Sequence, residues 1–409
     1  MSGERGRLTL TDVARFPRPG TAIPGGVAFT PDGSGVTYLH SEGGSLVRAL
    51  WEYEIESGER RVLAGPRGED EPLSREEELR RERTRTRELG VTDYRFAREA
   101  SERTLLIPGE ALLRVQVGEG AMHKLPGTEG ALDARIDPRG QRVSFARAGE
   151  LFVVDLAGGD PRHLSSGAED GLTNGVADFI AAEELERTDG HWWSPQGDRI
   201  AYVRADSRHI PNYAIVHQGK DEVDVEHHRY PFAGEANAFV ELAVVEVETG
   251  ATVWMELGTE KDIYLSRVQW RPDGVLTAQV LSRDQTTISL LAFDAGGAAT
   301  TLIEETGDPW INVDQGSRLL ESGEILWSSE RDGFRHLYVH DADGSLVRQL
   351  TWGEWVVTRV VGVDEEGRLA YFMATAESPR ERQLYRVSLD GGEIERLTVE
   401  PGWHDCALS

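Results

Sequence analysis

The sequence has one cysteine in 409 residues, Cys406, which excludes an internal disulfide framework and any multi-cysteine metal site. Lysine is almost as rare. Only Lys124, Lys220 and Lys261 occur, so 41 of the 44 basic residues are arginine, a bias that points to a GC-rich bacterial coding sequence and not to a mechanism. Positive charge is scarce beside negative: 71 acidic residues leave a formal net charge of −27. Such a surface repels the phosphates of nucleic acid and of anionic membranes, so neither is an expected partner. No run approaches the ~18 apolar residues of a membrane-spanning helix, and Met1–Leu10 is charged with no apolar leader core. The cytoplasm is therefore the expected compartment. Motifs are missing as well. There is no Gly-x-Ser-x-Gly nucleophile elbow, no His-Glu-x-x-His, no P-loop and no Gly-x-Gly-x-x-Gly, so no nucleophile, metal or cofactor is expected.

What is abundant is glycine, and it recurs in a fixed setting. A short strand, a Pro-Asp-Gly turn or a relative of it, and further apolar strands repeat along the chain. The copies are Val27-Ala28-Phe29-Thr30-Pro31-Asp32-Gly33, Ile136-Asp137-Pro138-Arg139-Gly140, Trp193-Ser194-Pro195-Gln196-Gly197 and Trp270-Arg271-Pro272-Asp273-Gly274. Looser ones stand at Leu319–Gly323 and Val363–Gly367. Pro presets the first turn residue, and Gly takes the positive φ that such a hairpin needs. Alternating strands such as Leu151–Leu156 follow, then a second Gly turn and a strand ending in Arg162-His163-Leu164, Arg348-Gln349-Leu350 or Glu395-Arg396-Leu397.

Four short strands repeated at about 40–50 residues predict a β-propeller. A β-sandwich or single barrel needs no such run of equivalent copies. Units are expected to start near 26, 91, 133, 190, 266, 316 and 360, with an eighth begun at 402–409 and stopping after one strand. The expectation is an all-β, eight-bladed propeller of four-stranded blades, the last incomplete. Residues 1–25 would supply a closing strand at Leu8-Thr9-Leu10, and 26–401 the first seven blades.

One segment breaks the β pattern. Ser74-Arg75-Glu76-Glu77-Glu78-Leu79-Arg80-Arg81-Glu82-Arg83 and the residues up to Gly90 predict a short Arg-rich helical insertion over 74–90. Ser74 with Glu77 makes a capping box, and Gly90 serves as the stop. Its only apolar residues are Leu79 and Leu89, so by residue chemistry alone it is a solvated, salt-bridged helix. His227-His228, beside Asp224 and Glu226, alternate along a strand; the two imidazoles then face opposite ways and no metal is expected. Cys406 has no evident base near it, which argues against a nucleophile. Most tryptophans stand at strand positions suited to packing.

The most specific wording is Phe179-Ile180-Ala181-Ala182-Glu183-Glu184-Leu185-Glu186-Arg187-Thr188-Asp189-Gly190-His191-Trp192-Trp193-Ser194-Pro195. As a bare dipeptide, Glu183-Glu184 is an ordinary solvated pair, like Glu304-Glu305 or Glu365-Glu366. The longer phrase resembles the substrate-anchoring segment of the dipeptidyl peptidase IV family. The helix words 74–83, followed by Gly90-Val91-Thr92-Asp93-Tyr94, resemble that family's cytosolic dipeptidyl peptidase eight/nine-like branch and its bacterial relatives. Arg229-Tyr230-Pro231 with Gly234 and Asn237, Trp310-Ile311-Asn312-Val313, Asp332–Tyr338 and Thr351–Trp355 match as well, so the resemblance runs from about residue 8 to the end.

The resemblance implies that Glu183 and Glu184 hold the free N-terminus of a peptide, whose ammonium offers three donors and one charge. It also implies that Arg81 or Arg83 meets a backbone carbonyl of that peptide, about a dipeptide's length or roughly 5–7 Å away. Thr188 departs from the family, where an aromatic stands. The family removes N-terminal X-Pro or X-Ala dipeptides with an α/β-hydrolase domain carrying a Ser-Asp-His triad, which this sequence lacks. The chain is therefore expected to gate and anchor without catalysing by itself, and its full-length form to form a homodimer largely through parts outside this sequence. The alternative of another class is a stand-alone propeller acting as a peptide-binding or protein-interaction scaffold. The full-length gene separates the two.

Overall fold

A computed structural model describes residues 9–14, 23–43, 45–65, 78, 81–82, 85–108, 113–217, 223–313 and 316–409. The repeated turns take the shapes their residues dictate. Gly33 donates its N–H to Thr30 O at 2.8 Å and has φ +70°. Gly140, Gly197, Gly274 and Gly323 make the same bond to the residue three back, with φ between 68° and 88°. The residue that opens the turn adds a second tie: Thr30 Oγ1 accepts from Gly35 N, Asp137 Oδ1 from Arg142 N and Ser194 Oγ from Arg199 N. In the loosest copy the positive φ moves from Gly367 to Arg368, at 51°.

Each of these turns joins the first two strands of an antiparallel sheet. Seven sheets built on four strands in chain order are present among the described residues. Their first strands begin at Gly25, Arg95, Leu132, Leu172, Ile263, Arg318 and Val357. This four-stranded meander, repeated along an all-β chain, is the blade of a β-propeller. The fourth sheet is the irregular one. Its first strand is split, and a separate hairpin, Asn212–His217 with Asp224–Arg229, leaves it between its second and third long strands.

The chain divides into two compact units, residues 1–142 with 155–160 and 409, and residues 143–154 with 161–408. In the first, Leu39 and Leu50 of one sheet and Leu105 and Ile107 of the next share one buried cluster. In the second, each cluster likewise bridges consecutive sheets. Leu151 and Val153 pack with Ile200 and Val245, Val203 and Leu242 with Leu265 and Ala278, Leu290 and Ile303 with Ile325 and Trp327, and Leu326 and Leu337 with Val360 and Phe372. Strands buried on both faces, such as Ile325–Ser329, follow from this stacking. Fully burying each Val, Leu or Ile contributes about 1.5–3 kcal/mol relative to exposure.

Two local expectations are corrected. Leu10–Ala14 is a short helix and not a closing strand, and Leu8 lies outside the described residues. Thr9 and Asp12 cap it reciprocally, Thr9 N donating to Asp12 Oδ2 at 2.9 Å and Asp12 N to Thr9 Oγ1 at 3.2 Å. The insertion at 74–90 stops well before Gly90. Thr86 N donates to Arg81 O and Arg85 N to Glu82 O, with Arg85 at φ 52°. That pair of bonds around a left-handed residue is a Schellman cap, here formed by an arginine where a glycine is usual. Leu89–Gly90 then form a strand parallel to Val47–Arg48. Residues 402–409 make one bridge, Trp403 beside Arg382, and no further strand.

Candidate functional site

Glu183 and Glu184 lie on an excursion that interrupts a single strand. Leu172–Asn174 and His191–Trp193 both pair with Arg199–Asp206, Asn174 opposite Arg204 and His191 opposite Tyr202. They are two pieces of one edge strand, with residues 175–190 bulging out between them. One residue closes the base. Gly175 donates its N–H to Val203 O at 2.8 Å, and Val203 donates its own to Gly190 O at 2.9 Å. His191 is fully buried there, with Nδ1 3.1 Å from Gly175 O. Gly190 has no room for a side chain: a Cβ would sit 2.2 Å from Gly175 O and 2.5 Å from Val176 Cα.

Within the excursion, Phe179–Glu183 form a five-residue helix capped by Asp178, whose Oδ1 accepts from Ala181 N at 3.0 Å. Asp178 Oδ2 accepts from Arg187 Nη2 at 2.8 Å; the Arg187 side chain is buried and that of Asp178 nearly so. Arg187 Nε reaches Leu265 O in the first strand of the fifth sheet at 2.9 Å. One guanidinium thus ties the start of the helix to the return of the chain and to the neighbouring blade. Arg267 Nη1 donates to Leu185 O at 2.7 Å. Ile180 and Leu185 pack on the cluster shared by the fifth and sixth sheets, and Phe179 meets Tyr230 edge-on at 5.3 Å.

Against this framework the two glutamates hold nothing. Glu183 ends the helix half-buried and Glu184 is its exposed C-cap; neither carboxylate bonds or pairs with a described residue. Glu305, by contrast, accepts from Trp327 Nε1 at 3.0 Å, Ser329 Oγ at 2.5 Å and Arg331 Nη2 at 3.1 Å. A helix C-terminus also favours cations over anions, so the pair stands where it does not help the fold.

Arg81 lies in the first unit, the glutamates in the second. Arg81 is buried and its Nη1 donates to Glu88 O at 3.3 Å, while Arg83 lies outside the described residues. Thr188 is exposed. Asp178, Arg187 and Gly190, which position the pair, carried no sequence signal beyond an Asp ahead of a helix and a Gly ahead of a strand. The other distinctive words have structural partners. Arg229 Nη1 donates to Arg208 O and Ile210 O, Tyr230 meets Phe179, and Asn312 Nδ2 donates to Glu330 Oε2 at 2.7 Å. His336 bridges Thr351 Oγ1 and Gly353 O, with Trp355 edge-on against it.

Among the described residues no group of three or more His, Cys, Asp or Glu is arranged to hold a metal ion. His227 registers with Ala214 and His228 with Tyr213, on opposite faces; His228 and His217 both meet Glu226, the latter at 2.7 Å. Burial pushes the Cys406 thiol up, only partly offset by Arg359, which disfavours a thiolate.

A family model described as the dipeptidyl peptidase IV (DPP IV) N-terminal region matches residues 111–409. Inactive dipeptidyl peptidase 10 of Rattus norvegicus is 32% identical over 275 residues, which are 62% of this chain and 34% of that protein. Dipeptidyl peptidase 8 of Homo sapiens is 26% identical over 440 residues, 82% of this chain and 48% of that one. The crystal structure of Porphyromonas gingivalis dipeptidyl peptidase 4 superimposes with a TM-score of 0.74 at 22% identity, over 94% of this chain and 55% of that one. This chain thus spans about a third to a half of the curated relatives it matches, and one of those is named inactive. Matched by that model over well more than half its length, the chain belongs to the dipeptidyl peptidase IV N-terminal region family.

Proposed function

We propose that this chain is the substrate-gating, N-terminus-anchoring portion of a dipeptidyl-peptidase-type serine peptidase, with Glu183 and Glu184 accepting the ammonium of a bound peptide. The observation that carries this is a pair of carboxylates on a rigidly pinned excursion, without partners among the described residues and at a helix end that does not favour them. An ammonium supplies what they lack, three donors and a positive charge. Arg81, and next Arg83, are the guanidinium candidates for a substrate carbonyl. Removal of N-terminal X-Pro or X-Ala dipeptides belongs in this reading to the whole protein, with an α/β-hydrolase domain as partner and a homodimer as its assembly. The cytoplasm is the proposed compartment; no helix among the described residues is long and apolar enough to cross a membrane.

The test is calorimetric titration of the chain with Ala-Pro and with N-acetyl-Ala-Pro. The free dipeptide should bind and the acetylated one should not. Glu183→Gln or Glu184→Gln should weaken binding about tenfold to a hundredfold, the worth of one charged hydrogen bond. Equal binding of both dipeptides, or unchanged affinity in both variants, defeats the reading.

A further inference from the structure

A cavity of about 480 Å³ opens between the fifth and sixth sheets, under the loop 307–313. Trp327, Ile288, Gln279 and Ser328 form its buried lining, and Asp308 and Trp310 its exposed lining. Two features set it apart from a packing gap. Ser328 is 9% exposed, yet its Oγ has no hydrogen-bond partner. An unpaired hydroxyl at that depth is a standing cost unless something fills the cavity and meets it.

The second feature is charge. Glu305 is neutralised by Arg331, and Glu330 by Arg335 at 3.0 Å, with a further bond from Asn312. Asp308 is the one charged lining residue without a bond or ion pair among the described residues. The uncompensated charge facing the cavity is therefore negative. Beside Asp308 stands Trp310, its indole pinned by Nε1 to Asn312 Oδ1 at 3.2 Å. Ile288, Ile311 and Trp327 belong to the cluster on which Ile180 and Leu185 of the anchoring excursion pack. One hydrophobic cluster thus supports both the glutamates and the cavity.

We propose that this cavity takes the cationic side chain of a bound peptide, a lysine or arginine, its stem against Trp310 and Ile311 and its donors available to Asp308 and Ser328 Oγ. An acidic side chain would meet Asp308, and a purely apolar one would leave the Ser328 hydroxyl unpaired. The inference rests on the peptide-holding role above and adds a side-chain preference to it.

The probe is Nα-acetyl-lysine N-methylamide against its norleucine counterpart, titrated into the whole chain and followed by calorimetry and tryptophan fluorescence. The lysine compound should bind about tenfold tighter or more at low salt, and Asp308→Asn should remove that advantage. Ser328→Ala should weaken the lysine compound severalfold without lowering the melting temperature, because its hydroxyl has no partner to lose. Equal binding of the two compounds, or a preference that survives Asp308→Asn, overturns the proposal. Neither probe has a free N-terminus, so failure at Asp308 and failure at Glu183 and Glu184 are read separately.

Discussion

Two excursions leave the fourth sheet, and they are held by opposite means. The one at 175–190 is short and anchored from within: a buried Asp178–Arg187 pair, a glycine pinch at its base and two apolar side chains in a core. The hairpin Asn212–His217 with Asp224–Arg229 is longer and is tied down at its base, where Arg229 bonds Arg208 O, Ile210 O and Asp170. Beyond that it stands out with Tyr213, Val216 and Val225 exposed. The difference separates precision from tolerance. An excursion positioned by buried polar contacts can carry side chains with no structural task, and Glu183 and Glu184 are such side chains. Where the hairpin's side chains stand in solvent, as Tyr213, Val216 and Val225 do, little depends on any one of them.

The comparison is most sharply tested at Arg187. Arg187→Met should leave the Asp178 carboxylate buried and unpaired, lowering stability by about 3–5 kcal/mol in denaturant unfolding. A loss below about 1 kcal/mol would show that the excursion is not held by this pair. Next in size is Gly190→Ala, where a methyl meets the Gly175 carbonyl. Overpacking of this kind costs about 1–3 kcal/mol, and Ala-Pro affinity should fall with it. An unchanged melting curve would mean the base of the excursion can open.

Smaller still are the changes predicted to do nothing to stability. Glu183→Gln, Glu184→Gln and, on the hairpin, Val216→Ser should each stay within about 0.5 kcal/mol of the parent. A clear destabilisation by either glutamine would assign the pair a structural role and weaken the functional one.

A pH-dependent effect is expected on acid titration. Asp206 ends the strand that pairs with both pieces of the interrupted strand and leads into the hairpin, and the Arg208 side chain, helped by the Arg208 N–H, holds its carboxyl at about 2. Its folded value lies below the unfolded 3.8, so its contribution is complete above that pH and fades as pH falls from 3.8 towards about 2. The stability gap between the parent and Asp206→Asn should close over that range. A gap constant from pH 5 to 2 would rule this linkage out.

Turn chemistry was the most legible layer of the sequence. Gly33, Gly140, Gly197, Gly274 and Gly323 all sit at positive φ between the first two strands of their sheets. Local backbone sterics decide such positions, and local sequence encodes them. The end of the Arg-rich helix was not legible, because an arginine at Arg85 took a cap that sterics assign to glycine. Nor was the short helix Leu10–Ala14, which the Thr9–Asp12 capping pair opens where an extended strand was expected.

The sequence by itself thus determined the repeating blade, the family likeness and the identity of the two glutamates, since each rests on residues close together along the chain. Tertiary structure alone decided that 175–190 interrupts one strand, that Val203 closes its base and that Arg187 reaches across to Leu265. It alone left Asp308 and the Ser328 hydroxyl without partners beside a cavity. Those facts depend on contacts between residues far apart in sequence. Whether a carboxylate is satisfied or free is settled by what the fold brings within hydrogen-bond reach, and no local pattern records it.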